Sequence, residues 1–441
     1  MAEHDSQQMF IDEVVLEAHT YLTPLVMMEL TRRQMTNVAE PTPFQSPMGS
    51  FAHMRTFPPG DFKGVVRPNF DTLYSVAWFD VSESPYAVTV PAAEDYVMLP
   101  VLDMWTDVVA VPGVRSNGSE PFTFAVCNER WSGSLPEEIL RVDVPTSQCW
   151  IIGRVATTSP TEFSEAHRFQ DGLQSAPLFP DQVMPREVDP TVDMRTSPLR
   201  QLRNLSGEEF FRLGLGLLSR HGPRVTDCSI ISRMDRIGLA ASENFAFDEL
   251  SPEVRASIEA VAPRSAALIQ TTTLSMANIV NGWQMNLDGM GVYGNDYARR
   301  AVVALRALGA NPAEEAVYPN LLVDAEGSAL AGENTYVVHF DAVSLPPVDA
   351  FWSLAAYDAK GFTVRNDLDR YSLGDRSPLA YGPDGSLDIV MSHEPPSTGP
   401  IDNWLPLPEG PVAVMLRLYL PQRSVLEGQW RPPAVVRAAA S

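Results

Sequence analysis

The chain has 441 residues, 45% hydrophobic and 20% charged, which is the composition of a folded globular protein with room for two or three domains. Its formal net charge of -23 would repel a phosphate backbone, so neither nucleic acid nor anionic membrane is expected as a partner. All but two of its 32 basic residues, Lys63 and Lys360, are Arg. No run reaches the roughly 18 apolar residues of a membrane span, and Met1–Gln8 has neither the basic nor the apolar region of a secretory signal. A cytoplasmic location is therefore expected. Cys127, Cys149 and Cys228 are odd in number and lack CxxC spacing, and their surroundings are apolar. They read as buried thiols, with no zinc knuckle or disulfide framework.

Residues 8–38 carry apolar positions at helical spacing (Phe10, Val14, Val15, Leu22, Leu25, Val26, Met27, Leu30), and Pro24 among them predicts two helical segments meeting at a kink. From Asp71 to Arg154 the texture changes to short β-prone runs: Leu73–Val81, Tyr86–Val90, Tyr96–Leu102, Val108–Val111, Phe122–Cys127 and Cys149–Val155. Their spacing suggests an antiparallel sandwich or barrel. Ser159-Pro160-Thr161-Glu162 opens a helix to Gly172, and the proline-rich stretch Ser175–Pro198 reads as a linker or wrapping arm. Ser206-Gly207-Glu208-Glu209 starts a helix to Arg220, Ser251-Pro252 another through the 270s, and Asn295-Asp296 a third that stops at Gly309. β texture then returns in Thr335–Phe340, Phe351–Tyr357, Leu387–Met391 and Val412–Leu420, with Asp358-Ala359-Lys360-Gly361 and Asp384-Gly385 as hairpin turns.

Dense polar-aromatic runs punctuate these elements. Pro68-Asn69-Phe70-Asp71-Thr72-Leu73-Tyr74-Ser75, Leu102-Asp103-Met104-Trp105-Thr106-Asp107 and Trp150-Ile151-Ile152-Gly153-Arg154 mark the front half. Asn281-Gly282-Trp283-Gln284-Met285-Asn286, Val292-Tyr293-Gly294-Asn295, Ala350-Phe351-Trp352-Ser353, Tyr357-Asp358 and Asn403-Trp404-Leu405-Pro406 mark the back. On these runs the chain resembles a bacterial family of two "domains of unknown function" in tandem, numbers twelve-fifty-four at the N-terminal side and twelve-fourteen at the C-terminal side. The resemblance implies an α+β, mainly β fold: an N-terminal immunoglobulin-like β sandwich, a helical middle region and a C-terminal jelly-roll-like β sandwich. The corresponding divisions are a helical segment over 1–60, a β-sandwich domain with its proline-rich arm over 61–200, a helical region over 201–311 and the jelly-roll-like domain over 312–441. The resemblance carries no settled reaction. Two departures stand out: the family often has Arg where this chain has Phe70, and its glycine-rich stretch after Gly113 is short here.

Candidate chemistry lies in the same runs. Period-two alternation puts Asn69 and Asp71 on one side of a segment entering a strand, where an amide and a carboxylate could orient a polar substrate or bind a cation, with Tyr74 nearby. Alternatively, Asn69 and Asp71 cap a turn. Asp103, Trp105 and Asp107 also alternate, which suits a general base beside an aromatic platform or an oxygen-ligand metal site, but equally a solvated edge strand. No pair of the seven histidines has metal-ligand spacing; His393, before a proline-rich loop, is the best single candidate for acid–base work. Trp283, Asn286, Tyr293 and Trp404 could line a pocket for a flat or glycosidic ligand, or simply fill cores. GxGxxG, Walker and GxSxG motifs are absent, so nicotinamide, nucleotide and α/β-hydrolase mechanisms are disfavoured.

These readings converge on an enzyme, of hydrolase or lyase type, acting on a small organic molecule without a nucleotide cofactor in a pocket between the β domains and the helices. Asp71, Asp103 and His393 are its expected catalytic groups, and Asn69, Tyr74, Trp105, Trp283, Asn286, Tyr293 and Trp404 its expected binding residues. No cofactor is expected, although a divalent cation on oxygen ligands is compatible with the pattern. The alternative is a non-catalytic ligand- or carbohydrate-binding or assembly protein, and homo-oligomerisation fits either reading.

Overall fold

The computed structural model describes residues 2–157, 159–179, 187–276 and 278–438, and mixes helices with four sheets whose strands are mostly antiparallel. The first element is one helix, Ala2–Thr36, with Pro24 inside it. Two segments were expected, but the helix continues because the stretch around Pro24 is buried nearly all round. Tyr21, Leu22, Leu25, Val26 and Met28 are fully covered by neighbouring helices and by the front sheet, and that packing outweighs one lost backbone hydrogen bond.

The front β region consists of a six-stranded and a four-stranded sheet. The central pair of the larger sheet, Thr72–Asp80 and Gln148–Ala156, is antiparallel and buried on both faces. Alternation divides its side chains. Leu73, Ala77, Phe79, Cys149, Ile151 and Val155 enter the core shared with the smaller sheet. Val76, Trp78, Trp150 and Ile152 point the other way, into the core built with the helices. Trp78 and Trp150 are register partners, with stacked rings 4.9 Å apart.

The rear β region repeats the arrangement with a seven-stranded and a four-stranded sheet. Val412–Pro421 runs antiparallel to Val348–Asp358, and Val414, Leu416, Leu418, Leu354 and Ala356 pack into the core between the two sheets. The opposite face carries Tyr357, Met415, Arg417 and Tyr419. Front and rear meet where Tyr96, Met98 and Ala156 contact Ala316, Phe351 and Tyr419.

Several local readings are corrected. The run Tyr96–Leu102 is two short strands, Val97–Met98 and Val101–Asp103, because Pro100 cannot donate to a ladder. The helix after Ser251 breaks at Ala260 into Pro252–Glu259 and Val261–Ser275, since Pro263 supplies no N–H to the preceding turn. Asp384-Gly385 makes a turn, but it links strands in different sheets and so is no hairpin. Cys127 and Cys149 are buried, whereas Cys228 is exposed on the outer face of the amphipathic helix Cys228–Arg236, whose Ile230 and Met234 face inward. Of the proline-rich arm, residues 180–186 lie outside the described residues. Beyond them Asp189 exchanges two hydrogen bonds with Asn37, tying the arm to the end of the first helix. The capping box of Ser206 and Glu209 is present. Among the described residues no helix is long and apolar enough to cross a membrane.

Candidate functional site

A cavity of about 270 Å³ opens where the helix-facing side of the front sheet meets the outward side of the rear sheet. Three parts of the chain supply its walls. Arg67, Asn69, Tyr74 and Arg154 come from the front; Arg306 and Leu308–Asn311 from the end of the helix Tyr297–Arg306; and Tyr318, Asn320, Met415 and Arg417 from the rear. Asn286 and Met290, from the segment before that helix, also line it, with Val66 and Ala316. Among the lining residues there is no Asp, Glu, His, Lys, Ser, Thr or Cys; the groups that can carry charge are tyrosines and arginines.

Strand register brings the central pair together. Tyr74 and Arg154 face each other across the two central front strands, and the guanidinium carbon lies 5.0 Å from the centroid of the Tyr74 ring. Arg154 donates through Nη1 to Asn311 Oδ1 at 2.6 Å, and Asn311 in turn donates to the Tyr318 hydroxyl at 2.7 Å. From the rear sheet, Arg417 donates through Nη2 to the Tyr357 hydroxyl at 2.6 Å and to the carbonyl oxygens of Arg67 and Pro68 at 3.2 and 3.1 Å. Arg154 is 8% exposed and Arg417 2%. Arg154 Nε and Arg417 Nη1 have no hydrogen-bond acceptor among the described residues.

Asn69 joins the two β regions. Its Oδ1 accepts the Asp71 N–H at 2.6 Å, the turn geometry offered above as the alternative reading, and its Nδ2 donates to the Tyr419 hydroxyl at 2.8 Å. The same Nδ2 lies 3.4 Å from the Tyr74 hydroxyl. Arg67, at the rim, holds a left-handed backbone conformation with φ 53°, fixed by its N–H bond to the Gly361 carbonyl at 2.6 Å.

These surroundings set the acidity of the phenols. Burial acts to raise the Tyr74 pKa, but the positive charge of Arg154, with hydrogen bonding from Asn69 and the charge of Arg417, outweighs it and holds the phenol below its ordinary value. Burial pushes Tyr318, Tyr357 and Tyr419 in the opposite direction.

The residues picked out from the sequence fall into separate places. Asn69, Tyr74 and Asn286 line the cavity. Asp71 is buried behind it, where its Oδ2 accepts from Ser353 Oγ at 2.7 Å. Asp103, Trp105 and Tyr293 belong to another buried cluster. The segment Asp103–Val108 is a tight reversal with Thr106 at φ 69°, so Asp103, Trp105 and Asp107 do not share a strand face. Asp103 Oδ1 accepts the N–H groups of Trp105 and Asp107, and Arg224 bridges Asp103 and Asp107. Trp105 is fully buried and donates its indole N–H to the Gly222 carbonyl; Tyr293 donates its backbone N–H to Asp107. This cluster fastens the front sheet to the helices. Trp283 fills the rear core and donates to the Pro433 carbonyl. Trp404 is buried, donating to Ser392, and the neighbouring His393 lies on the surface with Nδ1 2.9 Å from the Leu407 carbonyl.

Sequence reasoning missed Arg154 and Arg417. A signal was present: each is a single charge inside an otherwise apolar strand, in Trp150-Ile151-Ile152-Gly153-Arg154-Val155 and Val414-Met415-Leu416-Arg417-Leu418. Among the described residues, no group of three or more His, Cys, Asp or Glu side chains is arranged to hold a metal ion.

Comparison with known proteins agrees with this architecture. Residues 48–177 match the family described as "Protein of unknown function (DUF1254)" and residues 315–423 the family "Protein of unknown function (DUF1214)". The chain is similar in fold to the crystal structure of the VPA0106 protein from Vibrio parahaemolyticus, with a TM-score of 0.71 and 20% identity over 97% of this chain and 100% of that one. A weaker likeness, to an uncharacterized protein from Burkholderia cenocepacia, has a TM-score of 0.46 and 14% identity over 99% and 95% of the two chains. No curated protein matches. With both domains present in order, one on each side of the helical region that closes the cavity, the chain belongs to the tandem DUF1254–DUF1214 family.

Proposed function

We propose that this protein is an enzyme acting on a small organic molecule without a nucleotide cofactor, with the cavity between the two β regions and the helices as its active site and Tyr74 as its acid–base group. The observation that carries this reading is the lining itself. It offers a phenol beside a buried guanidinium and no carboxylate, imidazole, hydroxyl nucleophile or thiol. Asp71 and Asp103, the carboxylates expected to act, are committed to Ser353 and Arg224 outside the lining. A phenol that ionises readily can take a proton from a substrate and return it, while the arginines stabilise the negative charge that develops. Both reaction types considered fit this lining: a lyase would use the phenol to abstract a proton, and a hydrolase would use it to activate water, with the arginines stabilising the developing negative charge in either case.

We also propose that the front sheets form an immunoglobulin-like sandwich and the rear sheets a jelly-roll-like one, a reading supported by two sheet pairs, each with its own core.

The test is a turnover screen over small hydroxy, keto and ester compounds with wild type and Tyr74→Phe. A wild-type activity that falls by ~10²–10⁴-fold in the variant, with substrate affinity retained, is expected for a general acid–base residue. Full activity in Tyr74→Phe overturns the assignment. A compound that binds in the cavity and is never converted favours the rival reading, a binding protein.

A further inference from the structure

We infer that the cavity holds the carboxylate of a small organic acid between the guanidinium groups of Arg154 and Arg417. This rests on the enzyme reading for its consequence, since it names what the same cavity takes, but its physical basis is independent of turnover.

The two cations are costly to bury. Removing a guanidinium from water is unfavourable by several kcal/mol unless charge and hydrogen bonds replace the solvent. Elsewhere this chain supplies both: Arg300, 0% exposed, is 3.2 Å from Asp107, and Arg224 bridges Asp103 and Asp107. Arg154 and Arg417 differ in having no carboxylate partner. Among the described residues they donate to neutral oxygens of Asn311, Tyr357, Arg67 and Pro68, Arg154 also lies against the Tyr74 phenol, and each retains a buried N–H without an acceptor, as Arg300 and Arg224 do beside their carboxylates. A chain of net charge -23 has carboxylates to spare, yet none stands in this lining. The one acid whose charge Arg417 feels most, Asp71, is turned to Ser353 outside the cavity.

Charge and geometry then narrow the ligand. Two buried guanidiniums opposed by Asp71, with Arg67 and Arg306 also in the lining, leave the cavity net positive, which suits an anion, and a planar carboxylate meets guanidinium N–H groups in the fork geometry they favour. A second charge, as on a phosphate dianion, would work against ionisation of Tyr74. Beyond the pair, Asn286 Oδ1 is buried without a donor, so a hydroxyl on the acid would find an acceptor there. The volume of about 270 Å³ suits a small acid.

The experiment is calorimetric titration of the full chain at neutral pH with lactate, with benzoate, with the matching neutral amides lactamide and benzamide, and with inorganic phosphate. At least one carboxylate is expected to bind at least tenfold tighter than its amide and tighter than phosphate. Arg154→Gln and Arg417→Gln should abolish that binding, and Arg154→Lys, which keeps the charge but loses the fork, should weaken it about tenfold. If a glutamine variant does not fold, the wild-type comparison of acid against amide still decides. Equal binding of acid and amide, preference for phosphate, or no binding overturns the inference. Carboxylate binding with no turnover of any acid would keep the anion site and remove the enzyme reading, whereas turnover of a neutral substrate by a protein that binds no carboxylate would do the reverse.

Discussion

Tyr74 and Arg154 are register partners on neighbouring antiparallel strands, and the guanidinium of one sits 5.0 Å from the ring centroid of the other. That pairing makes a phenol easier to ionise inside a covered cavity, where burial alone would have the opposite effect. Ultraviolet difference titration should show one tyrosine ionising below the usual phenol value of 10.0. The early step should vanish in Tyr74→Phe and move to higher pH in Arg154→Gln. An unchanged titration curve in both variants would separate the pair from any acid–base role.

The bridge between Asp103, Asp107 and Arg224 gives a stability prediction. Replacing Arg224 by Leu leaves two buried carboxylates with less compensation and should cost about 3–5 kcal/mol in denaturant unfolding. Burial raises the Asp103 pKa to about 6 even though Arg224 opposes it. A raised folded-state pKa means that stability is full below the unfolded value of 3.8 and is lost as pH rises through about 6. The variant should therefore be penalised more above pH 6 than below it.

His19 is expected to set part of the acid limit of the fold. It stacks on Phe210 with ring centroids 4.0 Å apart, its Nδ1 has no partner among the described residues, and burial lowers its pKa from 6.5 to about 4. His221 is lowered to about 4 as well, again chiefly by burial. The unfolded chain takes up protons first, so stability is full above pH 6.5 and declines as pH falls from 6.5 towards 4. His19→Leu should flatten that decline by on the order of 3 kcal/mol in unfolding free energy compared across the same pH range.

Gly309 shapes the cavity from the helical side. Its φ is +82°, and an added Cβ would meet Ile152 Cδ1 at 2.4 Å. Gly309→Ala is therefore expected to destabilise by about 1–3 kcal/mol in thermal or chemical unfolding, combining left-handed strain with displacement of Ile152. Because the same loop carries Asn311, the partner of Arg154, the variant should also lose carboxylate binding out of proportion to its stability. Unchanged binding would show that the loop does not position Arg154.

Most of the secondary-structure elements, and the family, are legible in the local sequence. β-prone runs at Leu73–Val81 and Cys149–Val155 anticipated the strands Thr72–Asp80 and Gln148–Ala156, the capping box of Ser206 and Glu209 marked its helix, and the polar-aromatic runs marked the tandem pair of domains. These are local properties, fixed by neighbours a few residues apart. Which polar residues share a site depends on how the sheets pack. Asp103 and Trp105 look exposed to chemistry when their segment is treated as a regular strand, yet Thr106 reverses the chain and Arg224, 121 residues away, takes up the carboxylate. Arg154 and Arg417 look like incidental charges in apolar strands, and become a pair because two sheets that are distant in sequence present these faces to one cavity. Alternation says that a side chain changes face, but what stands opposite that face is set by sheet packing, and packing joins residues hundreds of positions apart.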